Sequence, residues 1–216
     1  MKTLAQNFLT DDEQRTVTEA VQTAEKQTSG EIVPMIVSES HSYPVAPIIG
    51  GVFLALPTAL LSARLCGGLL WLGTDNMWLF LIFFSIYYAI AYLAVKQFPS
   101  LKRLFLSPER ADLAVREAAA SAFFSEALHD TRDANGILLY VSVFERRVWV
   151  LGDHGIDERI DPQIWKEIVD LVSHGIRQGG SCRAICEGIE RIGTILHEHF
   201  PIEADDKDEL HNLIIR

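Results

Sequence analysis

Residues 77–95 read MWLFLIFFSIYYAIAYLAV, a stretch without a single charged side chain. A helix rises about 1.5 Å per residue, so a helix of this length comes close to the roughly 30 Å hydrocarbon thickness of a bilayer. The stretch therefore predicts a transmembrane helix.

A second apolar stretch comes before it. Residues 43–63 carry no charge, and residues 65–72 extend the apolar character beyond Arg64. The stretch contains prolines and paired glycines, which membrane helices tolerate better than soluble helices do. We expect Arg64 to reach a membrane interface or to face Asp75. Residues 43–95 together predict a hairpin of two transmembrane helices.

The charges beside this hairpin predict its orientation. Two crossings return the chain to its starting side, so the parts before and after the hairpin share one compartment. Lys96, Lys102, Arg103 and Arg110 follow the second helix, whereas the loop between the helices has no lysine. By the positive-inside rule both soluble parts are expected in the cytoplasm, with the hairpin in the cell inner membrane.

The soluble parts predict one split domain, with residues 1–42 before the hairpin, residues 96–202 after it and an acidic tail at 203–216. Thr10 and Glu13 have the spacing of a capping box before a helix, and residues 31–37 then predict a strand. Pro34 lacks a backbone donor, so we expect this strand at a sheet edge or with a bulge. Neither half has enough strands for a sheet, so we expect the two halves to pack together.

The C-terminal half alternates helices and strands. An alanine-rich helix is predicted from Pro108, and strands are predicted at 136–143 and from Arg147, joined by a tight antiparallel turn at 144–146. The apolar run at 136–143 is typical of a strand covered on both faces. Two further helices are predicted, capped at Asp161 and Ser181. The pattern favours an α/β fold, a three-layer α/β/α sandwich with the transmembrane hairpin inserted into it.

Charge and cysteine content exclude some classes of protein. The formal net charge is -10 and no basic stripe is present, which argues against a nucleic-acid partner. Cys66, Cys182 and Cys186 are expected to be buried free thiols rather than a disulfide or a metal pair.

Several short motifs, taken in order, resemble the TPM domain family. They are Leu-Thr at 9–10 with Glu13, TSGEIV at 28–33, NGILL at 135–139, FERRV at 144–148 and GDHGI at 152–156, followed by the C-terminal helix pair. The resemblance implies an α/β/α fold around a small sheet. It also implies that a phosphatase activity and a divalent-cation site near acidic loops at the strand ends are to be considered.

The candidate residues for such chemistry lie beside the predicted strand pair. Carboxylates are suitable ligands for Ca²⁺ or Mg²⁺, a histidine can transfer protons and an arginine can hold a phosphate. The candidate metal ligands are Asp133, Asp153 and Asp157, and the candidate catalytic residues are His154, Arg146 and Arg147. We expect the loops to bring the carboxylates together only if another connection folds over. The alternative is that the aspartates serve turns and caps and the arginines keep a strand edge soluble.

The sequence thus predicts a membrane-anchored TPM-like domain that contacts the lipid bilayer and acts as a binding or assembly module for membrane proteins. The alternative function is a divalent-cation-dependent phosphatase.

Overall fold

A computed structural model describes residues 3–131, 134–202 and 210–216. The chain divides into two compact units, one formed by Met1–His41 with Asp112–Arg216 and the other by Ser42–Ala111. The first unit is a mixed α/β structure with a four-stranded mixed sheet. The second unit is helical.

The first unit begins with helix α1 and the strand that follows it. Helix α1 spans Asp11–Glu25, and the predicted capping box is confirmed, because Thr10 and Glu13 exchange hydrogen bonds. Strand β1 spans Glu31–Val37, as predicted.

The remaining elements of the first unit follow the helical insertion. Helix α5 spans Pro108–Ser125 and crosses the boundary between the units. The later elements, in chain order, are β2 (Gly136–Ser142), β3 (Arg147–Gly152), α6 (His154–Asp157), α7 (Pro162–Arg177), α8 (Ser181–His199) and β4 (Ile214–Ile215).

The sheet has the strand order β3-β2-β1-β4. Strand β1 pairs with β2 in parallel, with Glu31 opposite Gly136, and β2 pairs with β3 in antiparallel through the predicted tight turn. Arg146 in that turn has a φ of 53°, a left-handed conformation that a short turn requires. The two halves of the split sequence therefore supply neighbouring strands of one sheet.

The prediction that Pro34 places β1 at an edge is wrong, because β4 pairs with the other side of β1. The proline is tolerated for a local reason. The Ile36 carbonyl and the Ser38 N–H form hydrogen bonds on the β4 side of β1. Backbone groups of every second residue point to the same side of a strand, so the backbone nitrogen of Pro34 also points towards the β4 side. The pairing of β1 with β4 begins only at Met35, so it requires no N–H donor at Pro34.

Two further predictions need correction. Residues 214–215, expected within a solvated tail, form β4, while residues 203–209 of that tail lie outside the described residues. Ser181 is the first residue of α8 rather than its cap, since Gly180 holds the N-cap position. The Asp161 cap of α7 is confirmed, because its side chain accepts the Gln163 N–H at 2.8 Å.

Apolar side chains of the sheet point alternately to two buried clusters. Ile32 and Ile36 join the larger cluster with residues of α1, α7 and α8, and Val33 and Met35 join the smaller one with residues of α5. Strand β2 is buried along its whole length. This agrees with the prediction of a strand covered on both faces.

The second unit contains two long apolar helices and one short helix. Helix α2 spans Val45–Leu69, α3 spans Met77–Gln97 and α4 spans Pro99–Leu104. Side chains from α2 and α3 meet in reverse order, with Gly51 near Tyr88 and Gly50 near Val95. The two long helices therefore pack as an antiparallel pair.

Small residues line the side of α2 that faces α3. They recur at every fourth position and are buried, namely Gly51, Ala55, Ala59, Ala63 and Gly67. Tyr87 and Ser62 join the two helices by a hydroxyl hydrogen bond of 2.9 Å. Small residues allow helix backbones to approach closely, a packing mode common between membrane helices.

Candidate functional site

The candidate carboxylates lie where β3 ends and α6 begins. Asp153 caps α6, because its Oδ1 accepts the His154 N–H at 2.7 Å. Its backbone N–H donates to the Gly136 carbonyl at 2.9 Å. The start of β2 and the end of β3 therefore lie side by side. The expectation that another connection must fold over to join these two ends is wrong, because antiparallel pairing already brings them together.

Asp157 at the end of α6 approaches the same place. A Cβ atom added at Gly152 would lie 2.8 Å from Ile156 Cγ2 and 3.4 Å from Asp157 Oδ1. The glycine thus lets α6 fold closely over the end of β3. Burial raises the pKa of Asp157, the nearby Asp153 raises it further, and His154 opposes both effects.

His154 contacts this carboxylate pair through its backbone N–H, whereas its imidazole ring pairs with Glu158. Its Nε2 lies 3.1 Å from Glu158 Oε1, and both side chains are exposed. The His154 ring therefore stands on the solvent side of α6.

The two candidate arginines lie at the other end of β3. Arg146 is exposed in the turn, and Arg147 pairs through Nε with Asp112 Oδ1 at 2.7 Å. Strand β3 separates them from Asp153 by about 20 Å, taking roughly 3.3 Å for each residue of a strand. The structure thus does not bring a phosphate-holding arginine and the carboxylates into one site.

The carboxylate pair supplies only part of what a divalent cation needs. Asp153 Oδ2 is buried and has no hydrogen-bond partner in the described part of the chain, which is the state of an oxygen available to a ligand. However, Ca²⁺ takes six to eight oxygens, and residues 3–131, 134–202 and 210–216 contain no group of three or more His, Cys, Asp or Glu that could hold a metal ion. Asp133, the third candidate ligand, lies outside the described residues. The described carboxylates alone do not complete a cation site.

A buried polar network that the sequence did not predict lies at the carboxyl ends of β1 and β2. Glu145 accepts the Ser40 N–H at 3.0 Å through Oε1 and the Ser142 hydroxyl through Oε2. Ser40 Oγ donates to Ser142 Oγ at 3.0 Å and lies 3.3 Å from the Tyr140 hydroxyl. We call Ser40, Tyr140, Ser142 and Glu145 the Glu145 network.

This network joins the segment after β1 to the turn after β2. Burial raises the pKa of Tyr140, the bond to Ser40 lowers it, and the Glu145 charge raises it again. The signal in the sequence was a serine three positions before a glutamate at a strand end. It was missed because the partner, Ser40, is about a hundred residues away.

The cysteines are free, as predicted, but are half-buried rather than buried. Cys182 and Cys186 lie on one face of α8, and burial together with the neighbouring Cys182 raises the pKa of Cys186 to about 12. A thiol in this state is a poor nucleophile and a poor metal ligand at neutral pH. His197 on the same helix contacts the Gln27 carbonyl.

The second unit presents a large apolar surface. Two helices, α2 and α3, are long and apolar enough to cross a membrane. Large apolar side chains point outwards along both, and only 6% of the most apolar window of α3 is buried. At the loop between them Trp71 is 96% exposed, and Arg64 lies 3.8 Å from Asp75.

Comparison with known proteins supports the resemblance found in the sequence. Residues 103–195 match the TPM domain. Among solved structures, the chain is similar to the NMR structure of the BA42 protein from the psychrophilic bacterium Bizionia argentinensis, with a TM-score of 0.59. The two are 22% identical, over 96% of this chain and 94% of that one, so the likeness concerns the fold. No curated protein matches the sequence.

Proposed function

Because this chain carries a TPM domain at residues 103–195, we propose that it is a TPM protein held in a membrane by α2 and α3, where it serves as a binding or assembly module for other membrane proteins. The proposal includes a three-layer α/β/α arrangement of the first unit. Helices that contact both apolar faces of the sheet support this arrangement.

The exposure of α3 is the observation that carries the proposal. A core helix of a soluble protein hides its apolar side chains, whereas Ile82, Ile90 and Leu93 on α3 are all exposed. In water such a surface would favour association or aggregation. Lipid is the solvent that matches it, since the backbone groups in the middle of a helix are already hydrogen-bonded within the helix.

The dimensions of the helices support a complete crossing. Helix α3 is about 31 Å long at 1.5 Å per residue, close to the roughly 30 Å of a hydrocarbon core. Trp71 and Trp78 are exposed at the loop end, and tryptophan is enriched where membrane and water meet. The loop end thus fits one interface while Lys96 and Gln97 fit the other.

The cations after α3 support the orientation. Lys96, Lys102, Arg103 and Arg110 would retain that end in the cytoplasm, so the loop between α2 and α3 faces the opposite side of the inner membrane. Both parts of the first unit would then be cytoplasmic.

The orientation is tested by labelling in intact cells. In a variant without its native cysteines, Thr74→Cys in the loop should react with a membrane-impermeant maleimide, while Ser107→Cys should react only after lysis. The reverse pattern would invert the topology. Reaction of both positions in intact cells, together with release of the protein by alkaline carbonate, would reject the membrane assignment.

The assembly role is tested by cross-linking in native membranes. Full-length protein should give discrete cross-linked species with other membrane proteins. In the control, α2 and α3 are exchanged for an unrelated two-helix anchor of equal length, which shows whether the first unit alone selects these partner proteins. Only a broad smear, equal for both anchors, would reject a specific assembly role.

A divalent-cation-dependent phosphatase is the second candidate function. It is favoured by Asp153 and Asp157, because the charge of Asp153 is one of the causes that raise the pKa of Asp157. A bound cation would offset the repulsion between these two carboxylates, and Asp153 Oδ2 has no hydrogen-bond partner in the described part of the chain. Full-length protein in micelles should then release phosphate from a small phosphoester only with Ca²⁺ or Mg²⁺. Asp153→Asn should abolish release without unfolding the domain, because asparagine caps a helix as well as aspartate does. Absence of release with any metal would reject this function.

A further inference from the structure

A basic and apolar segment, residues 96–110, begins at the last residues of α3 and belongs to the second unit. It contains Lys96, Lys102, Arg103 and Arg110 together with Phe98 and Leu104, and we call these residues the basic collar. Helix α4, which carries Lys102 and Arg103, begins two residues after α3 ends. The collar therefore begins where the apolar helix α3 ends.

Aromatic contacts fix α4 against the first turns of α2. The Phe105 ring lies 6.0 Å from the Phe53 ring in an edge arrangement, and a Cβ atom at Gly50 would meet the Phe105 ring at 2.7 Å. Lys102 Nζ lies 5.8 Å from the centre of the Tyr43 ring. Helix α4, which carries Lys102 and Arg103, is thus held beside both the start of α2 and the end of α3, at one end of the helix pair.

The charges of the helix pair are unequally distributed between its ends. Residues 96–110 carry the four cations of the collar and one acid, Glu109, whereas the loop at 70–76 carries one acid, Asp75, and no cation. An anion would be attracted to the collar end and not to the loop end.

The apolar members of the collar distinguish a lipid from a soluble anion. Phe98 is 61% exposed and Leu104 is 75% exposed, although both neighbour charged residues. Exposed apolar side chains beside lysine and arginine are typical of a helix that lies in the headgroup region, with its apolar side in the acyl boundary. A soluble phosphate ion would leave Phe98 and Leu104 in water.

We propose that the basic collar binds the phosphate of anionic phospholipids in the leaflet adjoining the ends of α2 and α3. This rests on the proposed membrane anchoring, and adds to it a lipid class and the residues that select it. Each cation near a headgroup layer favours an anionic lipid about fivefold.

The test is native mass spectrometry of the full-length protein released from micelles that contain equal amounts of phosphatidylglycerol and phosphatidylcholine. Phosphatidylglycerol adducts should exceed phosphatidylcholine adducts at least fivefold, and the excess should fall with rising salt. The double variant Lys96→Gln/Arg110→Gln, which changes two exposed side chains, should lower the excess by at least fivefold. The double variant Lys102→Gln/Arg103→Gln should lower the phosphatidylglycerol excess by more than Lys96→Gln/Arg110→Gln does.

The matched control is Arg64→Gln, which removes a cation from the other end of the helix pair. It should leave the lipid preference of the wild type unchanged, and its unfolding temperature in micelles should show that the fold persists. Equal adducts of both lipids in the wild type would overturn the proposal, as would an unchanged preference in both double variants. A protein that fails to enter phosphatidylcholine vesicles at all would instead overturn the anchoring on which the collar depends.

Discussion

Removal of the Glu145 carboxylate should destabilise the first unit strongly. Glu145 is only 6% exposed, and its carboxylate accepts hydrogen bonds from Ser40 N–H and the Ser142 hydroxyl. A hydrogen bond to a charged group contributes about 1.5–3 kcal/mol, and a buried donor left without a partner costs a similar amount. We therefore expect Glu145→Ala to lower the free energy of unfolding by about 3 kcal/mol or more. Glu145→Gln keeps an acceptor oxygen, and should cost about 1–1.5 kcal/mol.

Hydrogen exchange measures this loss in the full-length protein in micelles, where ordinary denaturation would mix the two units. Amides of β1 and β2 that open only on unfolding of the first unit should exchange about a hundredfold faster in Glu145→Ala and about tenfold faster in Glu145→Gln. Peptides from α3 should exchange as in the wild type. Glu158→Ala is the matched control, since it removes an exposed glutamate paired with His154 and should change exchange less than threefold.

An Ala variant that exchanges no faster than the Gln variant would refute the reasoning. It would show that the Ser40 and Ser142 donors find water or another acceptor when the carboxylate is absent, so that burial of the network contributes little.

Three other predictions concern α8 and α6. Gly193→Val should lower the unfolding temperature of the first unit by several degrees, because a Cβ at this position would lie 2.7 Å from Ala24 Cβ. Such overpacking costs about 1–3 kcal/mol. An unchanged transition by calorimetry would show that α1 moves away freely. Cys186, with its pKa of about 12, should react with iodoacetamide at pH 8 about a thousandfold more slowly than a free thiol, as measured by mass mapping, and rapid labelling would contradict its burial. The raised pKa of Asp157 means that the folded state binds its proton more tightly than the unfolded state. The free energy of unfolding therefore falls as pH rises from the ordinary aspartate pKa through the raised one. Asp157→Asn should flatten this pH dependence when it is followed by hydrogen exchange in acid, and an equal pH dependence in both proteins would contradict the prediction.

Local signals allowed much of the first unit to be predicted. The capping box at Thr10, the bounds of β1 and the turn between β2 and β3 depend on residues close in sequence, and the structure confirms them. The apolar helices α2 and α3 were also evident, because an uncharged run needs no partner to be recognised.

Features that depend on distant pairing could not be predicted. Strand β4 has two residues and exists because they pair with Met35 and Ile36, and this pairing also gives β1 its second neighbour. No periodicity survives in so short a strand.

The candidate site shows the same limit. The sequence nominated Asp153, Asp157 and the two arginines for one chemistry, but β3 sets the arginines at its opposite end. The Glu145 network was missed because its contact with Ser40 spans residues on both sides of the helical insertion.

The insertion of α2 and α3 between β1 and β2 has a consequence for biosynthesis. During translation, β1 emerges first and its parallel partner emerges about a hundred residues later, after both apolar helices. Until then the future middle of the sheet has no neighbour on either side. With α2 and α3 inserted in a membrane as proposed above, closure of the sheet follows their insertion, and a stalled insertion leaves the sheet unfinished.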